Sequence, residues 1–266
     1  MKTSNHLLRR LTAALLAAVL ALSIALPVFA SDDGDTIYIN SVSDLLSLAR
    51  NCAYDQWSVG KTVILQKDLS LEGMLWEPIP SFSGQFKGNG HTISDLTITG
   101  QYSPAGLFGI VEEQGSIESL SVRGVVSVSD SADTTTGGIV GINHGTLINC
   151  QFTGVVTGDS EVGGIVGRNE SEGTIDHGTA RAIVTGKSPT GGIAGYNLGA
   201  ITGCTNVGSI NTEYPEASLD TDGFTAKMVD YINNKMAAAD NDATNSVTNV
   251  ATDTGGIARS EEHTSE

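Results

Sequence analysis

Cations, aromatic rings, cysteines and histidines are all scarce in this chain, and each shortage removes a class of function. The 266 residues carry 14 Lys and Arg against 30 Asp and Glu, a formal net charge of −16. A nucleic-acid partner is not expected from such a balance, because phosphate binding needs clustered cations. Aromatic residues make up 5% of the chain, which leaves few stacking platforms for bases or rows of sugars. Three cysteines, Cys52, Cys150 and Cys204, are too few and too scattered for a disulfide framework. Setting aside the two ends of the chain, the histidines are His91, His144 and His177. None has a zinc-helix or paired-histidine spacing, so no metal ligand and no metallopeptidase centre is expected.

Long apolar runs are also missing, with one exception at the amino end. Residues 1–30 combine Lys2, Arg9 and Arg10, an apolar stretch from Leu11 to Leu26, and Val28-Phe29-Ala30 as a small-residue cleavage pattern. This reads as a secretory signal peptide, with a mature chain beginning near Ser31. Its removal takes away three of the 14 basic residues and none of the 30 acidic ones, leaving 11 against 30 and a charge of −19. The expected location is secreted or cell-surface, and the processed chain is not expected to be an integral membrane protein.

Glycine is abundant, with 32 residues, and it recurs in a pattern. Gly-Gly-Ile stands at Gly137-Gly138-Ile139, Gly163-Gly164-Ile165, Gly191-Gly192-Ile193 and Gly255-Gly256-Ile257. The first three copies run on to Asn143, Asn169 and Asn197. A period of 26 and then 28 residues is one supersecondary unit that cannot bury its own apolar side, so copies must stack. Each copy divides into three short extended pieces, in the first copy Gly137 to Ile142, Thr146 to Phe152 and Val155 to Thr157. Aligned copies place Ile139, Ile165 and Ile193 in one column, Leu147, Ile175 and Ile201 in another, and Val156, Val184 and Ile210 in a third. Such columns predict an all-β, right-handed parallel β-helix, the hand following from the crossover rule. Asn143, Asn169 and Asn197 form a fourth column at a bend, where stacked amides can bond along the stack. Cys150 and Cys204 share a column two coils apart, about 10 Å, beyond the roughly 7 Å that a disulfide allows, so free thiols are expected.

Ahead of the coils, Thr36 to Asn40 alternates as a strand, and Ser41 opens a helix carrying Val42, Leu45, Leu46, Leu48, Ala49 and Cys52 on its apolar side. Residues 31–61 are therefore expected to cap the edge of the first coil. The coils are expected over 62–212, with further extended runs at Thr62 to Leu65, Leu69 to Leu71 and Phe82 to Phe86, and a turn at Asn89-Gly90. Polar residues between Val128 and Gly137 predict a corner loop. Residues 213–252 read as an insertion with a short helix carrying Phe224, Met228, Tyr231, Ile232 and Met236, and 253–258 as the start of another repeat. The last eight residues, Arg259 to Glu266, resemble the conceptual translation of a short-read sequencing adaptor and are expected to lie outside the natural protein.

No catalytic or cofactor-binding residue is singled out. His91 follows a Gly-Asn-Gly turn and reads as a turn residue. The acid pairs Asp130 with Asp133, Asp159 with Glu161, and Asp220 with Asp222 read as solvated surface charge, since no segment supplies the six to eight oxygens of a calcium loop. The residues with an assigned role are structural: Gly138, Ile139, Asn143, Gly164, Ile165, Asn169, Gly192, Ile193 and Asn197.

Residues Gly137-Gly138-Ile139-Val140-Gly141-Ile142-Asn143-His144-Gly145-Thr146-Leu147-Ile148-Asn149-Cys150 resemble the GLUG motif, as does Ala105-Gly106-Leu107-Phe108-Gly109. Trp76-Glu77-Pro78-Ile79-Pro80 and the stretch from Phe82 to Ile93 are similar to the segment that precedes such motifs in bacterial surface proteins. Lys87 stands where an acidic residue is common there. The resemblance spans about residues 62–212. It implies the repeat region of large secreted or wall-attached proteins, including the non-catalytic part of immunoglobulin A metallo-endopeptidases and adhesin-like proteins. It transfers no catalytic residue. The expected function is a non-enzymatic exported scaffold presenting loops to an extracellular protein or glycan. The alternatives are a carbohydrate-active β-helix, lyase or hydrolase, and the amino-terminal stalk of a longer secreted protease.

Overall fold

A computed structural model describes residues 35–54, 56–128 and 134–211, together with the backbone of 254 and 255. From Thr36 onward the described chain winds into a parallel β-solenoid of about six turns, with one short helix. Four strips of parallel strands form its faces. One runs through 36–39, 62–65, 85–87, 116–118, 146–148, 174–176 and 200–202. A second runs through 69–70, 92–100, 121–128, 151–157, 179–185 and 205–206, with 209–210 beside 179–185. A third joins 79–82, 108–111, 140–143, 166–169 and 194–197, and a fourth joins 136–137, 162–163, 190–191 and 254–255.

Backbone groups in such a stack bond to the coils on either side, so the register must hold identical positions above one another. Leu147 faces Ile175 and Ile175 faces Ile201. Val156 faces Val184 and Val184 faces Ile210. Gly137, Gly163, Gly191 and Gly255 also align. Ile139, Ile165 and Ile193 are fully buried, and each contributes about 1.5–3 kcal/mol by leaving water. The repeat thus does in three dimensions what its period predicts.

The subdivision of each coil differs from the three-piece reading. Thr136–Gly137 and Val140–Asn143 are separate strands on different faces, and Gln151–Thr157 is continuous. The reason lies in the glycines. Gly138 lies against the ring of Phe152, where a Cβ would overlap it, so the chain turns at that point and the next strand starts on another face. Gly154, in the gap between the second and third expected pieces, instead stays in the ladder, paired with Gly124 on one side and Ala182 on the other.

Residues 36–51 are strand Thr36–Ile39 followed by helix Val42–Asn51. Ser41 is the N-cap of helix Val42–Asn51, its Oγ accepting from the Asp44 amide at 3.2 Å, while Asp44 accepts from the Asn40 amide at 2.9 Å. The first bond satisfies a donor that the first helical turn leaves open, and the second ties the residue before the cap to that turn. Leu45 and Leu48 are buried, and the helix packs against strands 36–39 and 79–82. The coils nearest this helix are filled by Phe82, Phe86 and Phe108, with ring centroids 5.4 to 6.3 Å apart. Later coils are filled by β-branched side chains and Phe152.

Asn89 and Gly90 both have positive φ, 53° and 78°, as their turn predicts. Residues 129–133 of the corner loop, the insertion at 213–252 with its helix, the terminal octapeptide and the signal segment all fall outside the described residues.

Candidate functional site

The asparagine column fixes one corner of every clean coil. Asn143 donates to Asn169 Oδ1 at 2.7 Å, and Asn169 donates to Asn197 Oδ1 at 2.8 Å. Each amide also donates to a carbonyl just beyond its bend, that of Gly145, Gly173 or Gly199. Asn143 and Asn169 are fully buried and face inward, and Asn197 is partly buried. Asn143 Oδ1 has no partner among the described residues, because the preceding coil offers Val111 at that register.

The residues following this column are what the corner shows to solvent. Ser83, Glu112, His144, Glu170 and Leu198 succeed one another from coil to coil, each of the last four donating its amide to the carbonyl of the previous coil's column residue. The spacing is about 4.8 Å. Near the helix this row opens into a cleft of 420 Å³ lined by polar side chains, among them Ser81, Ser83, Glu112, Glu113, Gln114 and His144. Ser81 Oγ donates to Glu112 Oε1 at 2.7 Å. The adjacent Glu172 carboxyl is held below the usual range, first by the Ser171 hydroxyl, then by its own backbone amide, with a smaller contribution from His144.

Further along the same corner, Arg168 binds Glu170 at 2.6 Å and Glu161 at 2.9 Å, and lies over the Tyr196 ring at 4.9 Å. Thr135 donates to the second oxygen of Glu161 at 2.8 Å. Partial burial works against the Arg168 charge, and the two carboxylates outweigh it and raise its pKa above the ordinary value. This corrects the reading of Asp159 and Glu161 as solvated acids. Glu161 is paired with Arg168, Asp159 is paired with Lys187 at 2.7 Å, and their side chains are 16% and 19% exposed. Sequence spacing could not show this, because Arg168 lies 7 residues from Glu161 on another face of the coil and Lys187 lies 28 residues from Asp159, one coil on.

A second cleft, of 630 Å³, lies between the carboxyl half of the helix and residues 75–80, with Tyr54 and Leu75 exposed on its rim. Neither cleft was indicated by a motif. The signal that could have found the first is the register itself, since aligning each residue after the column asparagine brings Glu112, His144 and Glu170 into one row.

Ile139, Ile165 and Ile193 fill the core, and an added Cβ on Gly164 would overlap the Gly192 carbonyl. His91 lies beside Asp68, with Nδ1 3.2 Å from Oδ1. Cys52, Cys150 and Cys204 are free thiols. Gly178 separates the latter two in their column and donates its amide to Cys204 Sγ at 3.2 Å. Burial pushes the Cys150 thiol up to about 12 and the Cys52 thiol up to about 11. Among the described residues, no group of three or more His, Cys, Asp or Glu is placed to hold a metal ion. No helix among them is long and apolar enough to cross a membrane.

The fold and its inward columns define a β-solenoid. No family model matches the chain. Halomucin of Haloquadratum walsbyi is 30% identical over a region covering 53% of this chain and 2% of halomucin. A candidate Gly-rich membrane protein of Evansella cellulosilytica is 29% identical, covering 37% of this chain and 16% of that protein. The chain therefore spans a small fraction of the length of both relatives. A crystal structure of a candidate immunoglobulin A1 protease from Bacteroides ovatus aligns with a TM-score of 0.41 and 14% identity, over 85% of this chain and 84% of that one. A likeness at that score carries no argument about activity.

Proposed function

We propose that the chain is an exported, surface-associated scaffold that binds an extracellular protein or glycan through its coil corners and does so without catalysis. One observation carries the reading. The inward column Phe86, Ile117, Leu147, Ile175 and Ile201 stays apolar from coil to coil, whereas the outward row beyond the asparagine corner changes from Ser83 to Glu112, His144, Glu170 and Leu198. A constant interior with a variable exterior is how a solenoid displays binding groups on a rigid backbone. The likeness to halomucin and to a candidate membrane protein is in keeping with an exported setting.

The test is capture of matrix proteins and polysaccharides by immobilised residues 31–258, with the bound material recovered and sized. Saturable capture with the material intact supports the proposal. The second reading, a carbohydrate-active solenoid, is favoured by Glu112 and Glu113 beside Ser81 in an open cleft. Shortened polysaccharide, with loss of that shortening in Glu112→Gln or Glu113→Gln, would establish the second reading instead.

A further inference from the structure

The cleft beside the helix has a composition that differs from the rest of the surface. Tyr54 and Leu75 are each 72% exposed on its rim, the most exposed large apolar side chains among the described residues. Pro78 and Pro80 continue the apolar wall. Arg50, Asn51 and Glu77 line the same space. Arg50 donates from Nη2 to Ser47 Oγ at 3.1 Å, which engages only part of its guanidinium fork. The volume of 630 Å³ lies within the roughly 300–1,000 Å³ of small-molecule sites.

We propose that this cleft is a binding site for a neutral saccharide segment, with the Tyr54 ring and Leu75 against the apolar face of a sugar and Arg50, Asn51 and Glu77 on its hydroxyls. The proposal rests on the adhesion reading and names its ligand class. A sugar hydroxyl both donates and accepts. The lining answers with a guanidinium that only donates, a carboxylate that only accepts and an amide that does both. An aromatic ring with a polar tip suits a ligand that is apolar on one face and wet at its edge. Arg50 is the cation of the lining and Glu77 its anion, within a chain of net charge −16, so a neutral glycan fits better than a polyanionic one. A proline-rich peptide fits less well, because such grooves offer several exposed aromatic ridges and the described lining presents the single exposed ring of Tyr54.

The experiment measures binding of the full chain to arrayed neutral β-1,4-glucan, xylan and α-mannan oligosaccharides, to a proline-rich peptide, and to matrix proteins. Tyr54→Ala, Tyr54→Phe and Leu75→Ser are compared with wild type, and circular dichroism checks that the coils persist. The expected result is binding to at least one oligosaccharide, weakened at least about tenfold by Tyr54→Ala and by Leu75→Ser, and kept within about threefold by Tyr54→Phe. Oligosaccharide binding that Tyr54→Ala leaves unchanged overturns this site. Capture of the peptide or of matrix protein, with no oligosaccharide bound, overturns the saccharide assignment and leaves the adhesion reading standing. No binding to any of the probes removes both.

Discussion

Asn143 and Asn169 are joined side chain to side chain at 2.7 Å, 26 residues apart in sequence and one coil apart in space. The bond is buried, and Asn169 passes the same contact on to Asn197. A turn residue alone would need none of this. The column is therefore a polar spine that fixes the register of a bend in successive coils. Its central member holds more of it than its last.

Replacing Asn169 with Ala removes a bond to each neighbour in the column and one to the Gly173 carbonyl, and deprives the buried Asn143 amide of its acceptor in the next coil. The expected cost is about 1–3 kcal/mol. Asn197→Ala, at the half-exposed end, is expected to cost less, about 0.5–1.5 kcal/mol. Urea unfolding midpoints of the two variants check the order. Equal midpoints would show that the ladder is not cooperative with folding.

Gly154 and Gly90 both have positive φ, 154° and 78°, and differ in what surrounds them. A Cβ at Gly154 would run into the Gly124 carbonyl of the neighbouring coil, whereas Gly90 has open space around it and a φ of 78°. Gly154→Ala must force two coils apart and is expected to cost more than about 3 kcal/mol. Gly90→Ala bears only the left-handed backbone penalty of about 1–2 kcal/mol. Thermal unfolding of both variants reads the difference.

The thiols give a graded reactivity. With Cys150 pushed up to about 12 and Cys52 to about 11, both are neutral and sheltered at mildly alkaline pH. Cys204 is also raised, by burial first, but remains half-exposed. Under native conditions iodoacetamide is expected to label Cys204 first and Cys150 last, and all three in denaturant. Intact and peptide mass spectra check this. A bridge between Cys150 and Cys204 would contradict the stacking.

Asp68 contributes to acid sensitivity. Its carboxylate accepts from the Thr92 amide at 2.9 Å, the largest cause of its lowered pKa, with the His91 hydrogen bond next. A pKa depressed in the folded state means that the stability is fully present above the ordinary value of 3.8 and is lost as pH falls through the lower folded value. Asp68→Asn is expected to flatten the stability profile below about pH 4 and leave its shape unchanged at neutral pH. Midpoints of unfolding measured from strongly acidic to neutral pH decide it.

The amino-acid pattern carried the columns of Ile139, Leu147, Val156 and Asn143 through to the structure because stacking repeats one environment in successive coils. The division of each coil was less visible. Gly138 and Gly154 look alike in sequence, yet one sits at a bend against Phe152 of its own coil and the other stays in a strand against Gly124 of the neighbouring coil. The clefts were not legible for a related reason. Ser81 and Glu112 are 31 residues apart, and Tyr54 and Leu75 come from beyond the helix and from the first coils, so only the assembled stack puts them together. The Arg168 cluster was hidden likewise, since Thr135 and Tyr196 join its two carboxylates from the coils on either side.

Adhesion without turnover is the central claim, and the direct measurement is the size of a captured polysaccharide before and after prolonged contact with residues 31–258. The expected result is saturable retention with the chain-length distribution unchanged. Progressive shortening of the polysaccharide that depends on Glu112 or Glu113 would contradict it.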